Sequence, residues 1–107
     1  MKKALVEKRY NLIVGFIKAH RGAENAVGNK EINAFLEDHG LAMKPRSIGK
    51  TLNKLMYDRW LPICFINGKG YYWASSKAEI ERTINDLSSR VSELLRHIEH
   101  LRSFIMD

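Results

Sequence analysis

The chain has little cysteine: one residue, Cys64, in 107. An intrachain disulfide is therefore excluded, and a lone thiol within an apolar stretch reads as a small buried hydrophobe in a reducing compartment. No apolar run approaches the length of a membrane span, and Met1-Lys2-Lys3 is not followed by an uninterrupted signal-peptide core. The expectation is a cytoplasmic protein without membrane contact. A phosphate-binding glycine loop is missing, as is any nucleophile, base and acid set, so no enzyme is expected. His97 and His100 stand three apart but have no cysteine or dedicated carboxylate pair beside them. They read as surface residues, and neither metal nor cofactor is expected. Two local absences carry more weight. No acid lies between Lys44 and Met56, and neither glycine nor proline occurs from Ser76 to the end.

Within the acid-free stretch, Ile48, Leu52, Leu55 and Met56 fall at i, i+4, i+7 and i+8 and line one side of a helix. At about 100° per residue, Arg46, Lys50 and Lys54 centre almost opposite that stripe. Asn53 stands beside them, and Ser47 and Thr51 lie on one flank. Pro45 suits the first turn, where its missing N–H is not needed. A charged outer face is commonly how a surface helix stays soluble, but here every charge has one sign. Gly49 leaves little side chain on this helix, so another body could approach closely. Tyr57-Asp58-Arg59-Trp60 reads as the helix end, with Trp60 covering the core.

Leu61 to Ile66 is rich in β-branched and aromatic residues, and Asn67-Gly68 offers the positive φ angles of a tight hairpin turn. Tyr71-Tyr72-Trp73 returns as a second strand, Lys69 sits at the tip, and Gly70 allows a bulge. Phe65, Tyr72 and Trp73 read as core rather than as stacking platforms. Upstream, Gly28 or Asn29 caps a helix with Glu31 in its first turn, Ile32, Phe35 and Leu36 as its buried stripe and Gly40 as its stop. Only Leu41 to Lys44 separate it from the basic helix, a helix-turn-helix spacing. A first helix, about Leu5 to His20, buries Val6, Tyr10, Ile13, Val14 and Ile17 and exposes Lys2, Lys3, Lys8, Arg9 and Lys18. Arg21 to Val27 reads as a polar loop.

Over residues 4–74 this order of helix, helix, turn, basic helix and hairpin resembles a winged helix-turn-helix domain, and Gly68-Lys69-Gly70-Tyr71-Tyr72 is similar to the ending of many such wings. The run from Lys44 to Leu52 resembles the recognition-helix region of winged domains in phage and plasmid replication proteins. The resemblance implies a third helix in the major groove and a hairpin on the adjacent backbone. Carried onto this chain, DNA contact falls to Arg46, Ser47, Lys50, Thr51, Asn53, Lys54, Lys69 and Tyr71, with Arg46 and Asn53 suited to bidentate base contacts.

The remainder is a different object. Ser76-Lys77-Ala78-Glu79 has the capping-box form, and one helix is expected from about Lys77 to Met106. Its apolar residues, Ile80, Ile84, Leu87, Val91, Leu94, Ile98, Leu101 and Ile105, alternate spacings of four and three. This is a heptad seam with Ile84, Val91, Ile98 and Ile105 at a and Ile80, Leu87, Leu94 and Leu101 at d, a pattern that favours a parallel two-stranded coiled coil. Leu95 and Phe104 add apolar surface at e and g, and no attractive g-to-e pair supports parallel pairing. Folding back onto the basic part is the competing reading, but about 30 residues of helix measure roughly 45 Å, longer than so small a head can cover.

Charge follows the same division. Residues 1–76 hold 13 Lys and Arg against 6 Asp and Glu, a balance of +7, and residues 77–107 hold 5 against 6, a balance of −1. The expected organisation is mostly α with a small β-hairpin: a winged helix-turn-helix domain over 1–75 and an oligomerisation helix over 76–107. The expected function is sequence-specific double-stranded DNA binding as a homodimer, by a nucleoid-associated transcriptional regulator or origin-binding replication protein. A further partner class is another replication or regulatory protein. The alternative is a non-catalytic adaptor whose winged domain or coiled coil is a docking surface.

Overall fold

Ile13 and Ile17 lie one turn apart on a first helix, α1 (Lys3–Ala19), and both are fully buried. They anchor a core completed by Ile32 and Leu36 of α2 (Asn29–Glu37) and by Ile48, Leu52 and Leu55 of α3 (Pro45–Arg59). The computed structural model describes residues 2–106. The chain is mostly helical, with one two-stranded antiparallel hairpin formed by β1 (Ile63–Ile66) and β2 (Gly70–Trp73), and it ends in a long helix, α4 (Lys77–Arg102). Among the described residues no helix is long and apolar enough to cross a membrane.

Local chemistry sets the helix ends. At the start of α2 the Gly28 N–H donates to Glu31 Oε2 at 2.8 Å, so the acid of the first turn satisfies an orphan donor. Gly40, at φ 68°, turns the chain out of α2, and the Leu41 N–H reaches back to Leu36 O at 2.9 Å. The connection to α3 is held by side chains. Asn33 Nδ2 donates to Met43 O at 2.7 Å, and its Oδ1 accepts from the Met43 N–H at 2.9 Å. Arg9 Nε donates to Leu41 O at 3.0 Å and Nη2 to Ala42 O at 3.4 Å. Arg9 is thus half-buried and engaged, not the free surface cation that its place on the helical wheel implies.

Three other expectations are corrected here. Trp60 does not cover the core: it ends α3 in the left-handed conformation (φ 58°, ψ 57°), which throws its ring outward, and it is 90% exposed. Leu61 packs against the core instead. Arg21 to Val27 is not a bare loop. It contains a 3-10 turn (Ala23–Asn25) and is stitched to β2, with Gly22 N–H to Trp73 O at 2.9 Å and Val27 and Tyr71 exchanging both backbone hydrogen bonds at 2.8 Å. Finally, Asn67 has no positive φ. Ile66 pairs with Gly70, so the hairpin closes through Asn67-Gly68-Lys69, with positive φ at Gly68 (84°) and Gly70 (116°). Gly70 is required less for a bulge than for proximity: a Cβ there would stand 2.1 Å from Val27 O.

The sheet has two faces. Ile63, Tyr71 and Trp73 pack towards the helices, while Cys64, Tyr72 and Ala74 form a second small cluster with Ala23, Ala26 and Ile66. α4 begins over that second cluster. Ser76 Oγ accepts from the Glu79 N–H at 3.3 Å, but the Glu79 carboxylate does not return to Ser76. Its Oε1 accepts from the Ser75 N–H and Oγ, both at 2.8 Å, and its Oε2 from the Ala23 N–H at 2.8 Å. One carboxylate therefore ties α4 to the turn after α1. These hydrogen bonds to the ionised form, Ser75's backbone N–H foremost and then Ala23's, hold Glu79 below the usual glutamate range. α4 then leaves the head, giving the molecule extents of 57 × 34 × 23 Å. Regular helix stops at Arg102 rather than Met106, and a turn carries the chain on, with Phe104 N–H to Leu101 O at 3.1 Å and Ile105 N–H to Arg102 O at 3.1 Å.

Candidate nucleic-acid interface

α3 presents its cationic face to solvent because its apolar stripe is consumed by the core. Arg46 and Lys50 are exposed, and neither forms an ion pair among the described residues. Ser47 and Thr51 are half-buried on the flank. Lys54 is exposed but engaged: its Nζ lies 2.5 Å from Asp58 Oδ2, one turn on. That hydrogen bond and charge raise the Lys54 pKa above its ordinary value, and the neighbouring carboxylate offsets part of its positive field. The i, i+4 spacing of Lys54 and Asp58 was the signal for this pairing. Asn53, also exposed, stands seven residues after Arg46 and borders the groove described below.

The hairpin meets α3 through Tyr71. Its hydroxyl lies where a Cβ on Gly49 would be 3.1 Å away, so what approaches this helix at its glycine is the second strand. Tyr71 is half-buried, and burial pushes its phenol pKa up. Its ring also packs on Phe65, with centroids 5.0 Å apart. Lys69 stands exposed at the hairpin tip. Beside it is a residue not singled out from the sequence, Lys30, in the first turn of α2. Gly28, Asn29, Lys30, Gly68 and Lys69 line one shallow hollow, because the Val27–Tyr71 backbone pair clamps the start of α2 to the hairpin. No short-range pattern announces a pairing across 44 positions. Tyr57 was also passed over. It is 71% exposed, and its place seven residues after Lys50 puts it on the Arg46 and Lys50 side of the helix.

Two other cations near α3 are engaged, while Lys44 at its N-cap is exposed and unpaired among the described residues. Arg59 donates to Glu7 Oε2 at 3.0 Å and to Asn11 Oδ1 at 2.9 Å, and Arg9 is bound to the loop carbonyls. The open positive charge along α3 therefore gathers at Lys44, Arg46 and Lys50, joined by Lys69 and Lys30 around the hairpin.

A groove of about 350 Å³ runs between α3, the hairpin and α4, lined mainly by Leu52, Asn53, Met56, Phe65, Tyr71 and Leu87. Beyond it the seam of α4 is uncovered: Ile80, Ile84, Leu87, Val91, Leu94, Ile98, Leu101 and Ile105 are all between 38% and 84% exposed. The helix does not fold back over its own head. His97 and His100 are exposed on α4, His100 edge-on to Phe104 at 5.2 Å, and no cluster of metal-ligating side chains occurs among the described residues.

Compared with protein-family models, curated proteins and solved structures, the chain matches none.

Proposed function

We propose that this chain is a winged helix-turn-helix protein that binds double-stranded DNA as a homodimer, at a transcriptional control site or a replication origin. The observation that carries this reading is the pair of exposed, unpaired cations on α3, Arg46 and Lys50, with Lys69 and Lys30 set beside them at the hairpin. The order of elements supports it: a helix, a short segment paired to the hairpin at Val27, two helices joined by a tight turn, then the hairpin. In this reading α3 lies in the major groove. Arg46 reads a base edge, while Lys50, Lys30 and Lys69 neutralise phosphates. Lys54 contributes less than its position suggests, because Asp58 holds it. The exposed seam of α4 joins two such heads, and a two-fold target would have half-sites about 10 base pairs apart or a multiple of that.

The test is binding of the full chain to duplex DNA over a salt series, with mass followed by light scattering. With several phosphates neutralised per head, affinity should fall log-linearly, by roughly a thousandfold between 50 and 200 mM salt. Arg46→Glu with Lys50→Glu should abolish binding and leave the thermal transition in place, since both side chains are in solvent. Unchanged affinity in that folded double variant overturns the assigned face. A dimer that binds no DNA at low salt points instead to the adaptor reading, for which the uncovered seam is the supporting feature.

A further inference from the structure

The uncovered seam of α4 can meet a second copy in two directions, which differ in what they bring together at its edges. In a parallel pair each g residue faces the e residue five positions further on. Thr83 then meets Ser88, Arg90 meets Leu95, and His97 meets Arg102. No opposite charges face each other, and one contact sets a histidine against an arginine. In an antiparallel pair a layers face d layers: Ile84 meets Leu101 of the second copy, Leu87 meets Ile98 and Val91 meets Leu94. Each of these layers joins one β-branched residue to one leucine. Now e faces e and g faces g: Glu81 meets Arg102 of the second copy and Arg90 meets its His97, each twice by symmetry, so a histidine–arginine contact occurs in both directions and the Glu81–Arg102 pair is what separates them. In the single chain Arg102 has no ion-pair partner among the described residues, and Glu81 has only Lys77 at 3.6 Å on an open surface.

A second observation points the same way. Phe104 is 74% exposed in the turn that follows α4, far from its own head. Antiparallel pairing sets it beside Thr83 of the second copy, and Thr83 borders the apolar groove against α3 and the hairpin. Parallel pairing leaves the ring uncovered and brings Ser88 and Leu95 of the second copy, rather than an aromatic ring, to the groove-lining Thr83 and Arg90.

Resting on the dimeric reading above, we propose that α4 pairs with a second copy in the antiparallel direction, the two heads at opposite ends of the rod and Phe104 of each copy against the groove of the other. Both heads then lie on one side of the rod, because the groove sits on the g flank of α4 and antiparallel pairing sets g against g.

Orientation is read by disulfide trapping of full-length chains. In the antiparallel pair Ile84 of the two copies stand 17 residues apart in height, roughly 25 Å, and cannot be bridged. Ile84→Cys alone and Leu101→Cys alone should therefore not self-crosslink, and their equimolar mixture should give the mixed disulfide; the parent, with Cys64 buried, is the blank. Charge variants on the solvent flank give a second readout that leaves the seam intact. Arg102→Glu should weaken dimerisation by roughly tenfold, and adding Glu81→Arg should restore it. Self-crosslinking of Ile84→Cys, or tighter dimers from Arg102→Glu through His97, overturns the antiparallel assignment while leaving the dimer standing. A parent that stays monomeric at every concentration removes the dimeric reading and this inference with it.

Discussion

Gly70 is the most constrained position in the head, and substituting it tests how the hairpin is joined to α2. A Cβ at Gly70 would lie 2.1 Å from Val27 O and 2.5 Å from its carbonyl carbon, both backbone atoms that cannot swing aside. In Gly70→Ala the strand must move away from Val27, which breaks the two 2.8 Å hydrogen bonds between Val27 and Tyr71. Each is worth about 1 kcal/mol net. The φ of 116° adds strain of roughly 1–3 kcal/mol for a residue with a side chain. The sum is roughly 3–5 kcal/mol, a large share of the stability of a small domain, at about 0.05–0.15 kcal/mol per residue. Gly68→Ala is the control: its φ is 84°, but nothing stands within 4 Å of its Cβ, so only strain is incurred. Urea unfolding followed by circular dichroism should place Gly70→Ala below Gly68→Ala by about 2 kcal/mol or more. Equal midpoints would refute the close approach, and with it the account of how Lys30 comes to lie beside Lys69.

Two further outcomes follow from the ends of helices. Trp60→Gly should stabilise the protein by about 1 kcal/mol, because glycine adopts the left-handed cap freely and the exposed indole gives up little packing; a lower urea midpoint would show that the ring holds something in place. Glu79→Gln should remove a pH-dependent contribution. Because the folded-state pKa is lowered, the carboxylate's stabilisation is fully present above the ordinary glutamate value, shrinks as pH falls below it and is gone beneath the depressed folded value. Urea midpoints of parent and variant should therefore converge as pH drops through that window, and a constant gap would exclude the tether from Glu79 to Ser75 and Ala23.

The helices were legible because their signals are local. The 3.6-residue stripe of Ile48, Leu52 and Leu55, the stop at Gly40 and the serine cap at Ser76 each need only a few neighbours, and each is where periodicity placed it. The hairpin's existence was legible for the same reason, though its loop was not. Asn67-Gly68 satisfies the chemistry of a two-residue turn, but Ile66 pairs with Gly70 and leaves three residues in the loop. What sequence could not reveal was reach. Glu79 resembles half of a capping box, yet its carboxylate serves a residue 56 positions away. Gly49 resembles a flaw in a helix until Tyr71 is placed over it. Trp60 was misplaced because apolar character argues for burial while a left-handed cap argues for exposure, and backbone geometry decided between them. At the candidate interface the positions of the cations were readable, but the pairing of Lys54 and Arg59 needed their partners in view.

The connection between α2 and α3 has a consequence for how this chain can drift. Arg9 and Asn33 grip it only through main-chain atoms, the carbonyls of Leu41, Ala42 and Met43 and one N–H. The side chain at Ala42 is exposed and takes no part. Position 42 can therefore accept most residues without altering the angle between the two helices, whereas the identities of residues 9 and 33 fix that angle from outside the turn. Variation across the connection should thus be wide at its surface and narrow at Gly40 and Leu41 within it and at two sites outside it, so part of its geometry is encoded elsewhere in the chain.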